Sequence, residues 1–334
     1  MTPFRVVFVI PGDAEGPSYI FAKREVDALE RSGAVVAERF FLQSRTSPRV
    51  LRSEHARFRD CLRRSRADLV HAYYGTVTSL FSSVGHRLPL VITFQGSDLL
   101  PTYDFTGVRV WIGHLLSQIS AVRSAAIICV SRQLRSRLWS RSCRARAEVV
   151  PTPVNLDVFR LIDRDEARRA LDWSRDERVV LFNAGSAPRR KRLDLARGAV
   201  AEAERLGGKI RLVVMQNDVP PERVPMLMNA ADCTLLASEA EGSPNTVKEA
   251  MACNLPVVSV PVGDVEERLR DVSPSRIVEP DARAMARALC EMLDLKQRSN
   301  GRTVVQRELS EPRMVERVTG IYAAVLGHRG VSAA

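Results

Sequence analysis

The sequence predicts an α/β fold made of two doubly wound, Rossmann-like domains facing each other across a cleft. Three observations predict it. Apolar runs of strand length alternate with amphipathic stretches of helix length along the chain. The alternation breaks once, at the aperiodic "PTPVNLDVF" of 151–159 with its two prolines, and then restarts. The length of 334 residues suits two domains. The expected boundaries are 1–155 and 156–334, with the C-terminal helix able to pack back on the first domain.

The elements follow in order. "RVVFVI" (5–10) is a buried-strand run stopped by Pro11-Gly12. "SYIFAKREVDALERSG" (18–33) has helical spacing, with Ile20, Val26 and Leu29 on one face and Gly33 at the end. "VVAERFF" (35–41) reads as a strand, 49–66 as a basic helix, and "DLVHAYYG" (68–75) as a strand. A short helix, the strand "LPLVITFQG" (88–96), an apolar-rich helix over 107–122 and the strand "AAIICVS" (125–131) complete the first half. After the break come strands at 178–185, 210–215, 232–238 and 255–263. Helices over 191–207, 220–231 and from 243 onward fill the gaps between them. In such sheets ligands bind at the carboxyl ends of the strands.

Composition removes several classes. The longest apolar run, "AAIICV" (125–130), is six residues, far short of the ~20 that a membrane-spanning helix needs. The apolar start at 6–10 is too short for a signal peptide, so a cytoplasmic protein is expected. The six cysteines include no CxxC pair and the five histidines no HExxH spacing, so neither a disulfide framework nor a metal site is expected. No G-x-x-x-x-G-K-[ST] or G-x-G-x-x-G occurs, which weakens ATPase and dehydrogenase readings. Charge is lopsided. Residues 1–160 hold 23 Lys/Arg against 13 Asp/Glu, nearly all of the net +11. That field favours an anionic partner, unless it is a solvated face. Few aromatics (6%) and no recognised module argue against nucleic acid.

The most informative stretch is "SEAEGSPNTVKEAM" (238–251). A strand ends at Ser238, so Glu239, Glu241 and Gly242 fall in the loop at its carboxyl end. Ser243 is expected to cap the next helix and Pro244 to take its first position. The free N–H groups of a first helical turn carry partial positive charge, which suits a phosphate. Glu249 falls in the second turn. A carboxylate repels phosphate but accepts hydrogen bonds from hydroxyls. A ligand with phosphate in the middle and hydroxyls at both ends fits, as in a nucleotide-sugar. On spacing alone, ordinary solvated helix-terminus acids remain the alternative.

"SEAEGSPNTVKEAMACNLPVVSVPVGDVEE" resembles the signature of glycosyltransferase family 4, the group 1 glycosyltransferases. Its E-x7-E core is matched by Glu241 and Glu249. "LFNAGSAPRRKRLDL" resembles the family's phosphate-binding strand-loop-helix, with Lys191 at the position of its lysine, and "VVPTPVNLDVF" resembles its interdomain element. "DLVHAYYG", "LPLVITFQGSD" and "PGDAEGPSYIF" resemble the acceptor-side strands and first loop.

The resemblance implies the GT-B fold and a retaining, metal-independent hexosyltransferase that needs no cofactor, its nucleotide-diphosphate-sugar being a substrate. The acceptor would be a glycan, a lipid-linked or a small-molecule hydroxyl, in cell-envelope or exopolysaccharide synthesis. It also implies roles. Glu249 would bind ribose hydroxyls, and Glu241 the donor sugar. Lys191 would stabilise the charge that grows on the diphosphate. The backbone of Gly242, Ser243, Pro244, Asn245 and Thr246 would face the donor, as would Gly185 and Ser186. Gly16 would let the first loop approach the diphosphate. The basic first half suggests peripheral contact with an anionic membrane on its inner face, through the arginines of 49–66.

The sequence departs from the family at four places. Ser186 stands where the family has an arginine, leaving Arg189, Arg190 or Arg192 to replace it. Gln95 stands where a histidine is usual; it still bonds a hydroxyl but carries no proton charge. Asn254 replaces a glycine, which a left-handed helix end tolerates. Thr152-Pro153 replaces Asn-Gly and is expected to stiffen the linker. "DRD" (163–165) matches a metal-binding pattern, but before "EARRAL" it reads as an acidic helix start. His71 and His114 read as packed rather than catalytic. Two rival functions stand beside the transferase: a degenerate, non-catalytic GT-B or nucleic-acid binder, and a nucleotide-sugar epimerase.

Overall fold

The computed structural model describes residues 2–16, 18–44, 46–100, 107–216 and 218–332, with side chains to 327; Pro17 of the first loop lies outside them. The chain divides into two compact units, one of Met1–Pro153 with Glu311–Ala334 and one of Val154–Ser310.

In the first unit the strands are β1 (Phe4–Pro11), β2 (Val35–Leu42), β3 (Leu69–Tyr73), β4 (Leu90–Phe94), β5 (Ala126–Cys129) and β6 (Ala147–Val149). They form one sheet in the order β2-β1-β3-β4-β5-β6, and every pairing is parallel. The last six residues of β1 are buried on both faces, the pattern of a strand covered by helices above and below. The helices are α1 (Ile20–Arg31), α2 (Pro48–Ser65), α3 (Thr76–Ser82), α4 (Val108–Arg123), α5 (Arg132–Ser136) and α6 (Arg141–Arg146). Helix α2 starts as its sequence dictates: the Ser47 side chain accepts from the Val50 N–H and Pro48 occupies the first turn. Its inward face is Phe58 and Cys61.

The second unit opens with the stretch read as a linker. From Val154 onward that stretch is part of the unit. Val154 bridges to Ser310, and both Val154 and Phe159 are buried in the same core. Two apolar side chains inside an aperiodic segment give no periodic signal, so the packing was invisible in sequence. The strands are β7 (Val179–Gly185), β8 (Arg211–Gln216), β9 (Cys233–Leu236), β10 (Val257–Ser259) and β11 (Arg276–Ile277). They form a second parallel sheet in the order β11-β10-β9-β7-β8. Around it lie α7 (Arg164–Ala170), α8 (Leu193–Gly207), α9 (Val224–Ala230), α10 (Asn245–Ala252), α11 (Val265–Leu269), α12 (Ala282–Leu295) and α13 (Gly301–Glu308). Asp163 of "DRD" caps α7, accepting from the Asp165 and Glu166 N–H groups.

The chain then returns. Helix α14 (Glu311–Ser332) packs into the first unit, where Met314, Val318, Ile321 and Tyr322 share a core with Val6, Phe8 and Ile10. The Tyr322 and Thr93 hydroxyls flank the two ring nitrogens of His71 at 2.6 and 2.7 Å. His71 is buried, and burial pushes its imidazole down to about 3. It is a core residue, as read. Each unit is thus built on a parallel sheet, as the sequence predicts.

Candidate active site

The site is built at the carboxyl ends of β7, β9 and β10. Strand β7 ends at Gly185, whose φ of +49° turns the chain through the left-handed region. The turn that follows carries the basic run, and Arg192 (φ +57°) precedes the first residue of α8. This turn is tied to the loop after β9. The Glu239 N–H donates to the Arg190 carbonyl (3.0 Å), and Arg190 Nη1 donates to the Ala240 carbonyl (3.2 Å). The tie sets the charges. Lys191 Nζ donates to Glu241 Oε1 at 2.5 Å, and Arg190 Nη1 lies 3.7 Å from Glu241 Oε2. The Lys191 and Glu241 side chains are only 16% and 11% exposed. Burial raises the Glu241 carboxyl, but the Lys191 and Arg190 charges and the hydrogen bond from Lys191 outweigh it, and the carboxyl sits below its ordinary range.

The turn after β10 supplies the third wall. Gly263 has φ +63°, and a Cβ there would stand 3.1 and 3.2 Å from the Glu241 and Gly242 carbonyl oxygens. The neighbouring Asp264 is buried and accepts from Ser243 Oγ (3.0 Å) and Arg268 Nε (2.9 Å). Burial holds its carboxyl above the usual range against the Lys248 and Arg268 charges. Here the expected cap fails. Pro244, not Ser243, is the N-cap of α10, Asn245 is its first residue, and the N-cap residue makes no side-chain capping hydrogen bond. Gly263 brings Asp264 within reach of Ser243, and a charged acceptor draws the serine hydroxyl away from the helix end. Thr246 Oγ1 accepts from Asn183 Nδ2 (3.0 Å), which locks the first turn of α10 to β7. Glu249 is half-buried in the second turn. Asn254 follows α10 with φ +53°, the left-handed end read from sequence, and its Oδ1 also accepts from the Arg302 N–H.

The structure thus gathers Arg190, Lys191 and Glu241, with Gly242 and Ser243 on the adjoining loop. Of the three arginines considered for the phosphate loop, Arg190 is the one at Glu241. Arg192 instead engages Asp194 and lies 3.9 Å from Glu239, and Arg189 is exposed. Ser186 is exposed on the turn.

Gly16 and Gln95 belong to the first unit. The Gly16 carbonyl accepts from Lys23 Nζ (2.6 Å), and a Cβ at residue 16 would meet no atom within 4 Å, so no crowding from the chain itself requires glycine there. Gln95 follows β4, and its backbone N–H donates to the buried Asp98. His114 is half-buried, its Nε2 3.2 Å from the Ser97 carbonyl.

Sequence reading gave no role to three organising residues. Asp98, fully buried, accepts from the backbone N–H groups of Gly75, Gln95 and Gly96, so it ties the ends of β3 and β4 together. Asp264 and Asn183 do the same work around α10. The signal available was position alone: each lies in a strand or just past its end. The first unit also has a cavity of about 630 Å³ by β2 and α2, lined in part by Asp13, Arg39, Arg57, Arg63 and Arg64.

Comparison with known proteins adds two family models. "Glycosyltransferase Family 4" matches residues 4–158 and "Glycosyl transferases group 1" matches residues 165–295. Among curated relatives, the D-inositol 3-phosphate glycosyltransferases of Mycobacterium tuberculosis and Mycobacterium bovis are 32% identical over 152 residues. That match covers 38% of this chain and 32% of the relatives, about a third of their length. Among solved structures, sucrose-phosphate synthase from Thermosynechococcus elongatus superposes with a TM-score of 0.75 at 18% identity, covering 97% of this chain and 99% of that one. Anabaena HepE in complex with UDP superposes with a TM-score of 0.74 at 14% identity, covering 96% and 100%. HepE in complex with UDP-glucose gives 0.69 at 17% identity, covering 96% and 99%.

Proposed function

Because the chain belongs to the group 1 glycosyltransferases of family 4, we propose that it moves a sugar, with retention, from a nucleotide-sugar to an acceptor hydroxyl. The observation that carries this reading is the Arg190–Lys191–Glu241 cluster in the loops leading to the amino end of α10, whose N-cap is Pro244. The diphosphate takes the two cations and the first-turn N–H groups of Asn245 and Thr246. Glu241 accepts from hydroxyls of the transferred sugar, and Glu249 from those of the ribose. Gly185, Ser186, Gly242, Ser243 and Pro244 give the donor a close backbone wall.

The chemistry follows from the charges. The bond between the anomeric carbon and the phosphate oxygen breaks, and its electron pair stays on the phosphate. Lys191 and Arg190 stabilise that charge as it grows. The acceptor oxygen bonds the anomeric carbon on the same face, and its proton passes to a leaving-phosphate oxygen. No side-chain base, metal or cofactor is called on, because two fixed cations supply the positive charge.

HepE has been solved with UDP-glucose, which makes that the first donor to test. The curated relatives are named for an inositol phosphate, so phosphorylated polyols join glycans and lipid-linked sugars as acceptors to test. A role in envelope or exopolysaccharide synthesis at the inner membrane face would follow from a lipid-linked acceptor.

The test is a panel of nucleotide-sugars read by thermal shift and by release of nucleoside diphosphate. One donor should raise the melting temperature by mass action and turn over. A panel without a single shift would sink the proposal.

A further inference from the structure

Helix α4 is inside out. Its face toward the protein is small and polar: Ser117, Ser120 and Ala121 are buried, and Ser117 Oγ donates to the Asp98 carbonyl and accepts from the Thr76 N–H. The outward face is Val108, Trp111, Ile112, Leu115, Ile119 and Val122, at the spacing of one helical stripe. Leu115 is half-buried and the other five are exposed, Trp111 at 61% and Val122 at 62%. A second tryptophan extends the stripe. Trp139, 59% exposed, is held beside α4 by its backbone N–H, which donates to Gln118 Oε1 (2.9 Å). A contiguous apolar surface of this kind marks an interaction site.

The charge around it identifies the partner. Residues 107–147 contain eight arginines and not one aspartate or glutamate. Arg109 and Arg123 flank the stripe on α4 itself, and Arg146 reaches across to the Ala121 and Val122 carbonyls at the end of α4. A second copy of this chain would meet the face with the same positive charge across a two-fold axis, an unfavourable pairing. Nucleic acid would use the arginines and leave the aliphatic stripe in water. An anionic bilayer satisfies both features: acyl chains take Ile, Val and Leu, tryptophan sits at the headgroup boundary, and arginine meets lipid phosphate.

We propose that α4, with Trp139, is the surface through which the protein docks on anionic lipid. This relocates the contact from α2. There Arg57 pairs with Glu54 and Arg63 with Asp60, and Phe58 and Cys61 point inward, so α2 offers no apolar face.

The test is flotation of the full chain with phosphatidylcholine vesicles holding about 30 mol% phosphatidylglycerol. The wild type should float, and salt should weaken this without abolishing it, because the apolar part is not screened. Ile112→Glu with Ile119→Glu, both at exposed positions, should cut vesicle binding by about tenfold or more while leaving the melting temperature unchanged. Arg52→Glu with Arg59→Glu on α2 should have the smaller effect. In the wild type, brominated lipid should quench tryptophan fluorescence. A wild type that stays in solution with acidic vesicles, a double α4 variant that floats like the wild type, or a salt-stable dimer that this variant dissolves would each overturn the proposal. Donor-induced thermal shifts are read without vesicles, so a failed docking surface and a failed donor site are distinguishable.

Discussion

Replacing Glu241 by glutamine keeps the shape of the side chain and removes its charge. The cost can be bracketed from the geometry. An exposed ion pair contributes about 0–1 kcal/mol, whereas taking one partner from a fully buried pair costs about 3–5 kcal/mol. The Lys191–Glu241 contact lies nearer the buried limit, with exposures of 16% and 11%, and Arg190 is a second cation beside the carboxylate. Glutamine still accepts from Lys191, and Arg190 keeps the Ala240 carbonyl. A loss of about 2 kcal/mol is expected, which lowers the melting temperature of a unit this size by about 4–8 °C. Sugar transfer should fall by about 10²-fold, since a neutral amide oxygen accepts more weakly than a carboxylate from both the sugar hydroxyl and Lys191. Nucleoside diphosphate without sugar should bind at least as well as before, because its phosphates replace the negative charge removed beside Lys191 and Arg190.

The pH dependence has a definite sign. The native carboxyl sits below its ordinary value, so its contribution to stability is full above the unfolded carboxylate range. It is lost as pH falls through the native value, and Glu241→Gln removes that part of the acid sensitivity. Calorimetry and a nucleotide-release assay read these effects. A glutamine variant that melts with the wild type and transfers sugar at full rate would refute the reasoning.

Two further outcomes are expected. Gly263→Ala places a side chain at φ +63° and drives a Cβ against the Glu241 and Gly242 carbonyls. It should cost about 1–3 kcal/mol and raise the KM for donor, which steady-state kinetics beside a thermal melt will read. His71 is neutral in the fold, its imidazole pushed down to about 3 by burial from an unperturbed value near 6.5. Its contribution is therefore full above pH ~6.5 and lost as pH falls toward 3, with a slope of up to about one proton. Urea unfolding at pH 7 and 5 should show that loss in the wild type and less of it in His71→Gln.

The sequence alone was enough for most of the strands, though not for the short β6 and β11. Strand-length runs such as "RVVFVI" and "DCTLLAS" and the glycine and proline stops between them are local signals, set by the period of a few consecutive residues. The E-x7-E spacing of Glu241 and Glu249 is local in the same sense, and so is the left-handed position at Asn254. What only the tertiary structure decided were contacts between residues far apart in the chain. Lys191 meets Glu241 across 50 positions, Ser243 leaves its helix for Asp264 across 21, and Tyr322 reaches His71 across 251. The outward turn of α4's apolar stripe belongs with these, because a helical period marks one face as apolar without saying which side the neighbours take. Propensity and pattern act over one or two turns. The partner of a buried charge, and the side of a helix left in solvent, are fixed only when distant strands and helices have come together.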